Sequence, residues 1–180
     1  MAEQRALPLE GVYGGSGLAR LVVAGPASRL SLRAGEAAVA GLSGMLDISL
    51  PTVPLTATRG DGRYAFWLGP DEWLVIDEVG GDLGEALGPA AAPYSAVDIS
   101  HRNVAIMVDG PGAVATLNAG SPLDLRLEKF PVGKVTRTVL GKAEIVLYRK
   151  DENTFRVECW RSFAPYVFAL LDQGAKDAAF

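Results

Sequence analysis

The sequence predicts an α+β fold built by duplicating one strand–helix–hairpin–helix unit, with mainly antiparallel sheets against packed helices. Three observations lead there. The runs Tyr64-Ala65-Phe66-Trp67-Leu68 and Trp73-Leu74-Val75-Ile76 flank Gly69-Pro70-Asp71-Glu72, which is turn chemistry between two strands. A block from the first half recurs in order in the second: Gly35, Ala38, Val39, Ala40 and Leu42 return as Gly110, Ala113, Val114, Ala115 and Leu117. Pro51, Thr56, Thr58, Asp71 and Glu72 return as Pro131, Thr136, Thr138, Asp151 and Glu152. Finally, no GxGxxG motif follows a strand, so a doubly wound, dinucleotide-binding sheet is not supported.

The elements follow from the N-terminus. Gly11-Val12-Tyr13-Gly14-Gly15-Ser16-Gly17 is rich in glycine and lacks the Lys-Ser/Thr of a phosphate loop. Residues 1–20 therefore read as a flexible arm that could order on a partner, and residues 21–180 as one domain of two repeats, about 29–90 and 95–172. Leu30-Ser31-Leu32-Arg33 alternates as a strand does, and Gly35 to Leu42 has the alanine content and apolar spacing of a helix. After the hairpin, Asp82 reads as the cap of a short helix over Leu83, Ala86 and Leu87, stopped by Gly88 and Pro89. The second copy opens on the strand Arg102 to Val108. Pro111 sits where a first helical turn accepts proline, ahead of Ala113, Val114 and Leu117. It closes with the strand Phe155 to Trp160 and a helix from Ser162 through Tyr166, Val167, Leu170 and Leu171.

Composition narrows the function. With 180 residues the chain can bury most of its surface without staples, and Cys159, the single cysteine, reads as a small buried hydrophobe on a strand. A reducing cytoplasm fits that usage, and the N-terminus lacks the charged-then-apolar pattern of a signal peptide. Hydrophobic content is 49%, yet charges and prolines interrupt every apolar stretch before it reaches the roughly 18 residues of a membrane span. Lys+Arg 17 against Asp+Glu 21 gives a net charge of -4 with scattered basic residues, which argues against nucleic acid as a partner.

No complete catalytic set is legible. One histidine and one cysteine do not make a three-ligand zinc site. Asp98-Ile99-Ser100-His101 places the triad residue types side by side, but on a strand neighbours point to opposite faces, so a structural or interface role is expected of His101. The pairs Asp71-Glu72 and Asp151-Glu152 fall in hairpin turns, where solvated charge is the ordinary reading. No catalytic, cofactor-binding or metal residue is therefore assigned.

The stretch Asp98-Ile99-Ser100-His101, a strand, then Gly110-Pro111-Gly112-Ala113 resembles the opening of the glycine-cleavage T-protein and its folate-binding relatives. Within that group the chain is most similar to the gamma subunits of heterotetrameric sarcosine oxidases. Four segments carry that likeness: Leu68 to Leu74, Asp98 to Arg102, Ser121-Pro122-Leu123-Asp124-Leu125, and Arg161-Ser162-Phe163-Ala164. The resemblance covers roughly residues 20–172 and implies a T-protein-like folate-binding-domain fold. It also implies a complex with alpha, beta and delta subunits that oxidatively demethylates sarcosine to glycine and hydrogen peroxide, passing the one-carbon unit to tetrahydrofolate. FAD, FMN, NAD and tetrahydrofolate would belong to the partner subunits, and this chain would support assembly. Where T-proteins carry paired aspartates, this sequence has Ala143-Glu144, so the folate-chemistry carboxylate looks absent or replaced. A freestanding folate-binding or one-carbon transfer protein is the alternative, with Glu144 as its candidate carboxylate. A related complex acting on another N-methylated amino acid would share the mechanism. Obligate interfaces concentrate their energy in aromatic and arginine anchors, which nominates Trp73, Arg102, Trp160 and Arg161, although core burial is the ordinary fate of a tryptophan.

Overall fold

The computed structural model describes residues 8–9, 12–90 and 92–179, so residues 1–7, 10 and 11 of the stretch read as an arm lie outside the described residues. In chain order the strands are β1 (Tyr13–Gly15), β2 (Arg20–Val23), β3 (Ser28–Ala34), β4 (Ala57–Gly60), β5 (Arg63–Gly69), β6 (Glu72–Asp77), β7 (Tyr94–Asp98), β8 (Asn103–Asp109), β9 (Val135–Leu140), β10 (Ala143–Asp151) and β11 (Thr154–Trp160). The helices are α1 (Glu36–Met45), α2 (Ala113–Asn118) and α3 (Ala164–Asp177). The chain divides into two compact units. One holds residues up to Ala24, Val104–Val132 and those from Thr138 onward, and the other holds Gly25–Asn103 and Gly133–Arg137.

The unit around Gly25–Asn103 carries a five-stranded sheet in the order β4-β5-β6-β3-β7, antiparallel throughout. Alternation along β3 sends Leu30, Leu32 and Ala34 into one core with Ala38 and Leu42 of α1, and with Trp73 and Val75 of β6. The hairpin β5–β6 forms where the turn chemistry predicts it, with a register shift between Trp67 and Gly69. The helix expected after Asp82 does not form. Asp82 Oδ1 accepts the N–H groups of Gly84 at 2.8 Å and Glu85 at 3.3 Å, so the cap is present. Only one turn follows it, because Gly84, Gly88 and Pro89 leave too few helix-favouring residues to offset the cost of nucleation.

The other unit carries a six-stranded sheet in the order β1-β2-β8-β11-β10-β9. Ile106 and Val108 of β8, Ile145 and Leu147 of β10, and Phe155, Val157 and Cys159 of β11 pack in one core with Leu117 of α2 and Val167 and Leu171 of α3. Cys159 is thus the buried strand residue that the sequence suggests. Pro111 lies in the turn ahead of α2 rather than inside its first turn. Gly110 has φ 126°, and Gly112 donates its N–H to Leu18 O at 2.8 Å. A β-carbon on Gly110 would stand 2.4 Å from that same oxygen, so the glycines seat the chain leading into β2.

The duplication is visible in the elements. β3 and β8 are both seven residues long, each leads into a helix, and each copy then supplies a hairpin, β5–β6 or β10–β11. Two features are not in the sequence pattern. β2 precedes β3 but pairs antiparallel with β8, whereas β7 precedes β8 but pairs antiparallel with β3. Part of the stretch read as an arm, Tyr13–Gly15, is a strand on β2.

Candidate interface site

The end of β11 and the start of α3 carry three exposed aromatic residues, Trp160, Phe163 and Tyr166. Along β11, Phe155, Val157 and Cys159 fill the core while Arg156 and Glu158 lie on the opposite face, also buried and ion-paired at 2.8 Å. The strand ends at Trp160, which is 41% exposed. A 3-10 turn over Arg161–Phe163 delays the helix from the expected Ser162 to Ala164. Burial along α3 falls on Ala164, Val167, Phe168, Leu171, Gly174 and Ala175, a single helical stripe. Tyr166, read from the sequence as part of the helix's apolar pattern, lies off that stripe and is 41% exposed.

Two of these rings, Trp160 and Phe163, form a surface pair. The Trp160 and Phe163 ring centroids stand 6.3 Å apart with planes tilted by 51°, and Phe163 is 40% exposed. The Tyr166 hydroxyl accepts the N–H of Lys142 at 3.1 Å, which fixes the ring over the β9–β10 turn. Gly141 makes this possible: it has φ 59°, and a β-carbon there would stand 2.3 Å from the Tyr166 oxygen. Rings held by backbone contacts have little rotamer freedom left to lose, which suits an anchor in a protein interface.

The other sequence-nominated positions scatter. Trp73 is 2% exposed, inside the core of the Gly25–Asn103 unit, with its indole N–H donated to Pro51 O at 2.7 Å. It is unavailable as a surface anchor because alternation along β6 turns it inward. Arg102 is exposed in the turn after β7, and Arg161 is half-buried beside the ring pair. Phe163 and Tyr166 were missed as surface residues. Their spacing of three, after a tryptophan and beside Pro165, was the available signal.

Asp98-Ile99-Ser100-His101 is a strand end and turn rather than a continuous strand. Asp98 and Ser100 do meet there: the Ser100 hydroxyl and its N–H both donate to Asp98 Oδ1, the latter at 2.8 Å. Ser100 Oγ in turn accepts the N–H of Arg29 at 2.8 Å. His101 is exposed and takes no part in these bonds. The motif thus ties the end of β7 to the start of β3. Glu144 is exposed near the start of β10. Among the described residues no group of three His, Cys, Asp or Glu side chains is placed to hold a metal ion.

The hairpin-turn carboxylates Asp71 and Glu72, read as solvated, are ion-paired. Glu72 is clamped between Arg33 at 3.0 Å and Arg137 at 2.6 Å, while Asp71 meets Arg33 at 3.3 Å. Buried Asp77 accepts Arg63 Nε–H at 2.8 Å and the Val79 N–H at 2.7 Å. Burial pushes that carboxyl up, but these bonds and the Arg63 charge outweigh it, and its pKa lies below the ordinary carboxylate range. Asp124 is exposed and bidentate to Arg126, whose side-chain and backbone donors hold its pKa at about 2. Arg149 is buried and donates to the carbonyls of Leu125, Phe130 and Glu152, with its guanidinium 4.8 Å from the Phe155 ring centroid.

With this geometry in view, comparison with known proteins gives a consistent result. A family model described as the sarcosine oxidase, gamma subunit family matches residues 32–177. The sarcosine oxidase subunit gamma of an Arthrobacter species is 33% identical over 138 residues, 73% of this chain and 67% of the relative. That of Corynebacterium sp. strain U-96 is 30% identical over 152 residues, 81% and 74% of the two chains. Among solved structures, a chain of the heterotetrameric sarcosine oxidase from Corynebacterium sp. U-96 superposes with a TM-score of 0.84 at 23% identity, covering 98% of this chain and 97% of that one. The glycine cleavage system aminomethyltransferase T from Bartonella henselae gives 0.61 at 16% identity over 84% of this chain and 44% of that one, so the T-protein-like fold is shared.

Proposed function

The chain belongs to the sarcosine oxidase gamma subunit family, and we propose that it acts as the non-catalytic subunit of a heterotetrameric sarcosine oxidase. The observation that carries this is the family match across residues 32–177, supported by relatives that are themselves named gamma subunits. Its partners are the alpha, beta and delta subunits. FAD, FMN, NAD and tetrahydrofolate are held by those partners, which oxidatively demethylate sarcosine to glycine in the cytoplasm. No helix among the described residues is long and apolar enough to cross a membrane.

In this role the chain contributes surface rather than chemistry. Trp160 and Arg161, joined by Phe163 and Tyr166, form one contact region, and Arg102 lies in a second. Exposed aromatic and arginine side chains are the residue types that carry most binding energy in protein interfaces. The freestanding folate-binding reading has less behind it, since Glu144, the carboxylate it would use, is exposed near a strand end.

The test is co-expression with the neighbouring coding regions and purification through a tag on this chain. A yellow complex with larger flavin-bearing chains and activity on sarcosine is expected. A colourless lone chain that binds tetrahydrofolate would overturn the proposal.

A further inference from the structure

Residues 12–24 close the six-stranded sheet from far away in sequence. β1 and β2 stand at one end of that sheet, beyond β8. β2 meets β8 from Arg20 opposite Asp109 to Val23 opposite Ile106, and Ala24 continues the ladder by donating its N–H to Ala105 O at 2.9 Å. On its outer side β1 is met by α3, where Gly15 donates its N–H to Asp172 Oδ1 at 2.8 Å. The rest of the sheet does not run through these residues, since β8, β11, β10 and β9 are neighbours in turn.

The seat for this segment is shaped for main chain. Gly112 donates its N–H to Leu18 O at 2.8 Å, and a β-carbon on Gly112 would stand 2.9 Å from Leu18 Cβ. Ser16 Oγ accepts the N–H groups of Leu18 at 3.2 Å and Ala19 at 3.3 Å, which fixes the turn between β1 and β2. Apolar burial is slight by comparison. Of residues 12–24 only Ala19 and Leu21 are buried, whereas Tyr13 is 83% exposed and Leu18 42%. A segment held by hydrogen bonds and close glycine contacts, with little apolar area removed from water, belongs to the low-stability end of a fold. Its inner end is a natural hinge. Ala24-Gly25-Pro26-Ala27 has no regular structure, a β-carbon on Gly25 would touch nothing, and the boundary between the two compact units falls between Ala24 and Gly25.

We infer that residues 12–24 are a releasable strap, which opens as one unit about Gly25-Pro26 while the rest of the molecule stays folded, with Asp172 as its latch. Asp172 suits that role because its two carboxylate oxygens are divided. Lys176 Nζ holds Oδ2 at 2.6 Å and so orients the group, leaving Oδ1 for the Gly15 N–H. Release uncovers Phe168, which is 7% exposed with the strap in place, and frees one main-chain side of β8. The strap is a property of this chain by itself and does not depend on the subunit role proposed above.

Native-state amide exchange of the full chain in low denaturant tests the inference. The amides of Gly15, Ser16 and Ala24 report the latch, the turn and the ladder to β8. In the wild type all three are expected to share one opening with a weak denaturant dependence, and to be protected at least about tenfold less than the slowest amides of β10 and β11. Asp172→Ala removes a charged acceptor at one end of the strap and is expected to lower the protection of all three by the same factor, about tenfold. Gly112→Ala crowds Leu18 at the other end and is expected to lower all three together by at least about fivefold. Strap amides that exchange only through global unfolding, with the denaturant dependence of the β10–β11 amides, overturn the inference. So does a variant that frees only the amide nearest to it, since the segment then frays piecemeal. Should Asp172→Ala fail to fold, the wild-type profile and Gly112→Ala decide the matter.

Discussion

The backbone N–H of Gly15 donates to Asp172 Oδ1 at 2.8 Å across 157 residues of sequence, fastening β1 to α3. Lys176 holds the other carboxylate oxygen at 2.6 Å, one helical turn along. The strand runs so close to the helix that a β-carbon on Gly14 would stand 2.7 Å from Asp172 Oδ1 and 2.9 Å from the Phe168 ring. Gly17, by contrast, has open space around it. Gly14→Ala is therefore expected to destabilise by about 1–2 kcal/mol through overpacking, and Gly17→Ala to change little. Denaturant unfolding of the two variants side by side checks this, and equal midpoints would refute the close-packing account.

That contact shows which parts of the fold were legible. The hairpin around Gly69–Glu72, the helix after Gly35 and the strands β8 and β11 each carry a local signal, either turn chemistry or apolar period. The partners of β2 and β7 carry none, because their pairing crosses between the two copies and only tertiary packing decides it. Glycine in residues 14–17 was ambiguous for a related reason. Composition cannot distinguish a chain that needs freedom from one that needs room beside a helix. At the candidate site, Trp160 and Arg161 were legible as residue types, but whether a tryptophan faces in or out depends on strand register, which Trp73 and Trp160 resolve oppositely.

Arg149 offers a sharper test of the loop that follows α2. Its guanidinium donates to the carbonyls of Leu125 and Phe130 at 2.9 and 2.7 Å, and so organises the stretch containing Ser121-Pro122-Leu123-Asp124-Leu125. Burial lowers its pKa, but the group stays charged at neutral pH, since an arginine begins far above that range. Arg149→Met removes the donors and strands these carbonyls, at a cost of about 3–5 kcal/mol. Arg149→Lys retains charge but lacks the planar fork, and recovers only part of the loss. Chemical denaturation orders wild type above Lys above Met; a Met variant as stable as wild type would show that the loop does not depend on these bonds.

Asp77 sets a pH dependence whose sign follows from its partners. Its folded pKa is below the unfolded value of about 3.9, so its contribution is fully present above that value and is lost as pH falls through the folded pKa. Wild-type stability should accordingly decline below about pH 4. Asp77→Asn should be less stable at neutral pH, since Arg63 loses its buried acceptor, and should show a shallower acid decline. Asp172, also held below the ordinary range by Lys176 and the Gly15 N–H, adds to the wild-type slope in the same direction. Urea unfolding across pH 3–7 measures both effects, and parallel curves for wild type and Asp77→Asn would exclude Asp77 as their source.

The tryptophans separate stability from assembly. Trp73 is buried in the core and bonded through its indole N–H, so Trp73→Ala leaves a large cavity and costs about 3–5 kcal/mol of stability. Trp160 lies on the surface against Phe163, where truncation removes little that folding depends on. If these rings anchor a partner, Trp160→Ala and Phe163→Ala should each weaken assembly by about 2 kcal/mol, close to thirtyfold, while shifting folding stability by less than about 1 kcal/mol. The double variant should lose less than the sum of the two singles, because one ring supports the orientation of the other. Partner retention on the tagged chain, read beside denaturant midpoints, distinguishes the cases. Loss of stability in step with loss of assembly would make the pair a structural cap on β11, whereas lost assembly at unchanged stability identifies an anchor.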